Sequence, residues 1–224
     1  MTLLHSKRVI LFGIGGVGSW CAETLVRTGL TRLTIVDDDT VQPSNLNRQL
    51  PATQATIGRP KVEALKERLL AINPQADITA RCERVNSAWL EANGLEGYDY
   101  LIDAIDSVAD KTDLIIYASR VRALKVYCSM GAALRFDPTQ VRVAEFWDIK
   151  GDALARALRE RMKRIGSKPY RKIRCVYSLE NGKPLPTSPQ GEEKVKGSLM
   201  QVTAVFGCTL AGLVIQDIYK QSHN

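Results

Sequence analysis

The sequence predicts an α/β fold: a doubly wound, mostly parallel sheet with a basic C-terminal crossover and a closing helix. Three observations carry this. Short apolar runs alternate with helical spacings through Asp103, a glycine-rich turn follows the first run, and cationic charge collects in the second half of the chain.

Lys7 to Phe12 (KRVILF) is an apolar run of the buried parallel-strand type, ending at Gly13. GIGGVG, a helical stretch from about Gly16 to Thr28, and a second run, Leu33 to Val36, complete a Rossmann-like βαβ unit that ends on Asp37. Asp38 to Pro60 reads as a polar loop. Val62, Leu65, Leu69 and Ile72 recur at helical spacing after Lys61, and Asn73-Pro74 stops that helix. Ile78 to Cys82 and Tyr98 to Ala104 read as strands, the second followed by Asp106-Ser107 and a helix to about Arg122. Lys125 to Ser129 and Gln140 to Phe146 are further strands. Leu154, Leu158, Met162 and Ile165, with arginines between them, make Ala153 to Ile165 an amphipathic basic helix. Gly166 to Gly197 is rich in Pro, Gly, Ser and Lys apart from the strand-like Ile173 to Ser178. It reads as a long, partly mobile crossover. A helix near Met200 to Lys220 then packs back on the core, and no internal repeat is seen.

A chain of 224 residues suits one domain. Its expected parts are a nucleotide-binding core over 1–135, a strand, basic helix and crossover over 136–198, and a packing helix over 199–224. Hydrophobic residues at 45% and charged residues at 25% exclude wholesale disorder. The net charge of +7 is unevenly spread: residues 1–110 carry 11 Lys/Arg against 14 Asp/Glu, and 111–224 carry 20 against 10. Ten basic residues between Lys150 and Arg174 face only Asp152 and Glu160. Such a field suits a polyanion such as nucleic acid, or else a plain solvated helix face.

The five cysteines contain no Cys-x-x-Cys, which argues against a zinc tetrad and a redox dithiol; Cys128 reads as a core thiol, and none is matched to a thioester nucleophile. His5 and His223 are expected to carry no chemistry. Leu199 to Ile218 is the most apolar stretch, yet Gln201, Thr203, Thr209, Gln216 and Asp217 interrupt it as in a buried helix rather than a membrane span. MTLLHSKRVILFG lacks a signal-peptide pattern, so a cytoplasmic setting without membrane contact is expected.

Gly13, Gly15, Gly16 and Gly18 let backbone approach a phosphate at a helix N-terminus, and a dehydrogenase or a plain tight turn uses the same glycines. Asp37 stands where a ribose-binding acid belongs, for NAD or ATP alike. The discriminating stretch is Asp37-Asp38-Asp39, then Ser44-Asn45-Leu46-Asn47-Arg48-Gln49, then Ile57-Gly58-Arg59-Pro60-Lys61. Arg48 and Lys61 suit the charge of a triphosphate, asparagines such as Asn45 and Asn47 supply hydrogen bonds, and acids such as Asp39 suit Mg²⁺. A dehydrogenase leaves Asn45, Arg48 and Lys61 unexplained. Asp103 and Asp106-Ser107 close a later strand at the same sheet edge, where Asp106 reads as a site acid or as the next helix's N-cap.

Together these residues resemble the ThiF/MoeB/HesA adenylating family, relatives of the ubiquitin-activating enzymes, over nearly the whole chain. The resemblance implies ATP and Mg²⁺ as cofactors, with a monovalent cation as an optional addition. It sets Gly16 and Asp37 on the nucleotide and its ribose, and Ser44, Asn45, Leu46, Asn47 and Arg48 along the ATP site. Lys61 would reach the phosphates, and Asp106 with Ser107 would sit at their Mg²⁺ end. Arg48, Lys61 and Asp106 are thereby the implied catalytic set, with Asp106 the metal ligand. The shared reaction is attack of a carboxylate on the α-phosphate, releasing pyrophosphate and leaving an acyl-adenylate.

The second half is similar to the tRNA threonylcarbamoyladenosine dehydratase branch of that family. The similar stretches are IDAIDSV from Ile102, DPTQVRV from Asp137, LRERMK from Leu158, CVYS from Cys175 and VTAVFG from Val202. The branch implies ATP-dependent cyclisation of the modified adenosine through its threonyl carboxylate, by a homodimer. On this reading Arg156, Arg159, Arg164, Lys168, Arg171 and Lys172 track tRNA phosphates, together with Arg161, Lys163 and Arg174. Tyr170 either stacks a base or packs. The alternatives are adenylation of a ubiquitin-like sulfur carrier, which would then be the partner, and a non-catalytic relative. The family's usual N-terminal segment, which lends an arginine to the partner subunit's ATP site, is expected to be missing. Met1 stands only six residues before the first strand, and Arg8 is the nearest arginine.

Overall fold

The structure is a computed structural model and describes residues 2–182 and 197–221. Seven strands form one sheet: β1 (Arg8–Phe12), β2 (Arg32–Val36), β3 (Asp77–Arg81), β4 (Tyr100–Asp103), β5 (Lys125–Ser129), β6 (Val141–Glu145) and β7 (Arg174–Ser178). Their order is β3-β2-β1-β4-β5-β7-β6, parallel throughout except for the antiparallel β6–β7 pair. From β1 the chain winds outward to β2 and β3, then returns to β4 and winds the other way. The crevice at that switch point, beyond the C-terminal ends of β1 and β4, is where a doubly wound sheet binds ligands.

Among the described residues six α-helices cover the two faces: α1 (Gly18–Arg27), α2 (Lys61–Ile72), α3 (Ser87–Asn93), α4 (Val108–Arg120), α5 (Ala153–Arg164) and α6 (Met200–Gln221). Strand periodicity builds both cores at once. Val9 and Leu11 of β1 enter the cluster with α1, α2 and α6, while Ile10 and Phe12 enter the cluster with α3, α4 and α5. A strand buried on both faces reads as a continuous apolar run, which is how β1 is written. Most expected elements are present with ends shifted by a few residues; α2 and β5 keep the expected bounds.

Helix α3 was not expected. It is seven residues long with Leu90 as its one buried residue, so the sequence carries no 3.6-residue period there. Its start is nonetheless written chemically, because the Asn86 side chain accepts the Trp89 N–H at 2.9 Å.

Helix α6 lies across α1 and sends Val202, Phe206, Leu210 and Val214 into the core. The crossing is close at Gly207, where a Cβ would stand 2.4 Å from the Val17 carbonyl oxygen. This helix has the length and apolarity of a membrane span, at mean hydropathy 1.5, and half of that window is buried within the protein. Its far end is pinned by polar contacts, since Asp217 accepts hydrogen bonds from Lys125 at 2.6 Å and from the Tyr100 hydroxyl at 2.7 Å. In the crossover, β7 forms as expected, while residues 183–196 and His223 lie outside the described residues.

Candidate nucleotide-binding site

The site starts where β1 ends. Gly13 has φ +86°, and a Cβ there would lie 2.7 Å from the Ala104 carbonyl group as the chain leaves β4. A Cβ on Gly18 would stand 1.8 Å from the Gly13 carbonyl oxygen, so the turn closes on itself only with glycine at that position. Val17 at the N-cap of α1 makes no side-chain cap. The N–H groups of Gly15, Gly16 and Val17 have no acceptor among the described residues. Three free N–H groups at a helix N-terminus form an anion cradle.

Asp37, at the end of β2, holds the cradle from the side. Its carboxylate accepts the Ile14 N–H at 2.5 Å and the Asp39 N–H at 2.9 Å. Burial pushes this carboxyl above its ordinary pKa, against the opposing pull of Lys61 and of the two N–H bonds. Lys61, first residue of α2, extends its ammonium to within 2.6 Å of Asp39. Although the three acids 37–39 bring carboxylate oxygens within 4.8 Å of one another, two of them are already engaged.

The loop between β2 and α2 shapes itself through its own side chains. Asn45 is buried, and its side-chain oxygen accepts the Gln42 N–H at 2.9 Å within the turn Pro43–Asn45. That bond is a loop-shaping role rather than an open ligand. Arg48 packs against the cradle, its Cγ 3.2 Å from where a Gly16 Cβ would stand. Its guanidinium donates to the Ser44 carbonyl and the Asn47 side chain at 2.8 Å each. Asn47 in turn donates to the Ser198 carbonyl at 2.8 Å, tethering this loop to the approach of α6. Ser44 itself is exposed.

Asp106 is exposed and has no partner among the described residues, while Ser107 caps α4 by accepting the Asp110 N–H. The N-cap reading therefore belongs to Ser107, and Asp106 stays free beside the switch point. Sequence reasoning missed what supports it. Lys111 and Asp103 form a fully buried ion pair at 2.9 Å, and Lys111 also donates to the Ile105 carbonyl at 3.0 Å. These bonds fix the turn that carries Asp106. A lysine one turn into a helix reads as surface, and no signal in the sequence marks this one as core. Also unforeseen is Thr203 of α6, which reaches Gly16, while Gln49 of the discriminating stretch is buried with an Oε1 that has no partner among the described residues.

The basic stretch divides in two. Arg156, Arg164, Lys168 and Lys172 are exposed and without an ion-pair partner among the described residues. Arg159 and Arg171, expected on tRNA phosphates, are already hydrogen-bonded within the protein, although the buried Arg159 Nε has no partner among the described residues. Arg159 donates to the carbonyls of Phe146 and Ile149 and lies 5.2 Å over the Phe146 ring. Arg171 crowns the C-terminus of α4, donating to the carbonyls of Ser119, Val121, Arg122 and Leu124. Arg161 pairs with Asp113 at 3.3 Å. Tyr170 is 84% exposed, so its packing reading falls away. Arg8 opens β1 with its guanidinium 5.3 Å from the Tyr98 ring centroid. Cys128 and Cys175 are buried on neighbouring strands, and burial holds the Cys128 thiol protonated.

The ThiF family model matches residues 1–223. The tRNA threonylcarbamoyladenosine dehydratase of Haemophilus influenzae is 34% identical over 97% of this chain and 88% of its own length. Two solved structures of the Escherichia coli tRNA N6-threonylcarbamoyladenosine dehydratase are similar throughout. The complex with AMP has a TM-score of 0.88 at 34% identity, covering 100% of this chain and 90% of that one. The complex with ATP has a TM-score of 0.87 at 33% identity, covering 99% and 89%.

Proposed function

This chain belongs to the ThiF family, and from that membership and its site we infer an ATP-dependent tRNA-modifying enzyme that dehydrates N6-threonylcarbamoyladenosine. ATP is its nucleotide. The observation that carries the reading is the free N–H cradle of Gly15, Gly16 and Val17, with Arg48 packed on it and Asp37 tied to it. A triphosphate laid there meets N–H donors, the α1 dipole, and the cations Arg48 and Lys61.

In the first step a threonyl carboxylate oxygen attacks the α-phosphorus and pyrophosphate leaves, giving a carboxyl–phosphate mixed anhydride. In the second step the neighbouring carbamoyl group attacks the activated carbonyl, AMP leaves with the former carboxylate oxygen, and the carbamoyl proton passes to solvent. The nucleoside loses one water, and no electron changes hands. Arg48 and Lys61 are the residues assigned to charge developing on the phosphates. Exchange of Asp39 for phosphate would free the Lys61 ammonium to follow the leaving pyrophosphate.

Mg²⁺ is part of the proposal, and Asp106 is the residue we assign to hold it. Its carboxylate has no partner among the described residues, and Mg²⁺ suits one or two carboxylates with phosphate oxygens and water. The ion would supply charge neutralisation across the phosphates. Arg156, Arg164, Lys168 and Lys172 are the cations proposed for the tRNA backbone. A homodimer is proposed on the outward face of α6, where Met200 and Tyr219 are exposed. The cytoplasm is the compartment this reading assigns, where ATP and tRNA meet and five free thiols stay reduced. Incubation with ATP, Mg²⁺ and threonylcarbamoylated tRNA, read by nucleoside mass spectrometry, tests it. Adenylation of a sulfur carrier instead requires pyrophosphate exchange driven by a small Gly-Gly-ended protein and not by tRNA.

A further inference from the structure

A groove of about 480 Å³ at the C-terminal end of α5 has no part in the nucleotide chemistry. It is lined by Trp147, Arg159, Met162, Lys163, Ser167 and Lys168. Trp147 is 47% exposed, yet its ring is held. Phe146 meets it edge-on with centroids 5.0 Å apart, and the Arg159 guanidinium, locked by two carbonyls, stands 6.0 Å from its centroid. The opposite wall is rigid as well. Ser167 donates its N–H to the Met162 carbonyl at 3.1 Å, Gly166 donates to the Lys163 carbonyl at 3.3 Å, and Gly166 has φ +65°, the helix-ending motif in which glycine is favoured. Lys163 and Lys168 on the rim, with Arg164 beside them, have no ion-pair partner among the described residues. Two residues beyond Lys168 the Tyr170 ring stands 84% exposed.

A preorganised aromatic face inside a ring of unpaired cations matches a ligand that is flat and apolar in the middle and anionic at both ends. We propose that this groove binds an unpaired nucleobase of the RNA substrate, stacked on Trp147, with Lys163 and Lys168 on its flanking phosphates. This rests on the tRNA reading above and adds a subsite to it. The base is a neighbour of the reacting nucleoside and not that nucleoside itself. Helix α5 is capped by Asp152, whose carboxylate accepts the Gly131 N–H at the catalytic edge of the sheet. Its 12 residues then carry the groove about 18 Å away along the helix.

The test compares wild type, Trp147→Ala, Trp147→Phe and a Lys163→Gln/Lys168→Gln double variant. Each is titrated with threonylcarbamoylated tRNA at several salt concentrations, with ATP affinity as the control for folding. Trp147→Ala is expected to bind RNA roughly 5- to 100-fold more weakly with an unchanged salt slope, because stacking releases no counterions. Trp147→Phe keeps most of the affinity, and the double lysine variant lowers the slope by roughly 1.4. All keep wild-type ATP affinity. If Trp147→Ala loses ATP affinity through misfolding, intrinsic fluorescence decides: RNA must quench wild type more than Trp147→Phe, and equal quenching overturns the subsite. Unchanged RNA affinity in a folded Trp147→Ala, while wild type still dehydrates its substrate, overturns the subsite and leaves the dehydratase reading standing. A wild-type protein that binds no RNA overturns both.

Discussion

Lys61 holds its ammonium 2.6 Å from the Asp39 carboxylate, although Lys61 is 5% exposed and its partner points mostly to solvent. The cation is pre-positioned by the start of α2 and held by a partner that water or phosphate can replace. Removing it leaves an exposed carboxylate, which costs little stability. Lys61→Ala is therefore expected to keep its melting temperature within a few degrees and to lose about 100-fold or more in ATP–pyrophosphate exchange with the tRNA substrate. Arg48→Ala is expected to fall as far, because it removes the cation that the Ser44 carbonyl and the Asn47 side chain hold in place beside the cradle. Wild-type exchange in either alanine variant refutes the phosphate role.

The opposite balance holds at Lys111 and Asp103, both 0% exposed. Truncating one member of a fully buried pair strands the other. Lys111→Ala is expected to lose about 3–5 kcal/mol in urea unfolding, while Lys111→Met with Asp103→Leu recovers much of the loss. A single variant as stable as wild type contradicts the pair's role in holding the turn that carries Asp106.

Glu23 joins α1 to α2 through Arg68 at 2.5 Å and pairs with Arg27 of its own helix at 2.9 Å. Burial works to raise its pKa, but the two guanidinium groups outweigh burial and hold it below the usual glutamate value. A depressed folded-state pKa gives stability that is present above the unfolded value, about 4.3, and is lost as pH falls through the folded value. Glu23→Gln is thus expected to be less stable than wild type at pH 7, with the gap closing in urea midpoints measured down to pH 3. A gap constant with pH contradicts the assignment.

The basic stretch offers two separable outcomes. Neutralising Arg156, Arg164, Lys168 and Lys172 to glutamine is expected to reduce the salt dependence of tRNA binding by a slope of roughly 3 without moving the melting temperature. Arg171→Ala is expected to lower the melting temperature by roughly 4–8 °C, because the Ser119 carbonyl at the end of α4 and those of Arg122 and Leu124 just beyond it lose their donor. An unchanged salt slope in the quadruple variant assigns those side chains to plain solvation.

The winding of the sheet and the cradle were legible because both are written in local pattern. A strand buried on both faces must be apolar throughout, and Gly13 and Gly18 tolerate no Cβ. Helix α3 was not legible, since one buried Leu90 makes no period. The division of the arginines was not legible either. Arg159 and Arg164 look alike in the chain, and only the carbonyls of Phe146 and Ile149, brought near by β6, tell them apart. Lys111 escaped for the same reason: its partner Asp103 is recognisable as buried only once β4 is central in the sheet.

The most direct measurement incubates the protein with ATP, Mg²⁺ and threonylcarbamoylated tRNA, then digests the tRNA and weighs its nucleosides. The expected result is a modified nucleoside lighter by one water, with one AMP and one pyrophosphate formed per event. A folded protein that binds both ATP and the tRNA, yet leaves the nucleoside mass unchanged, contradicts the account.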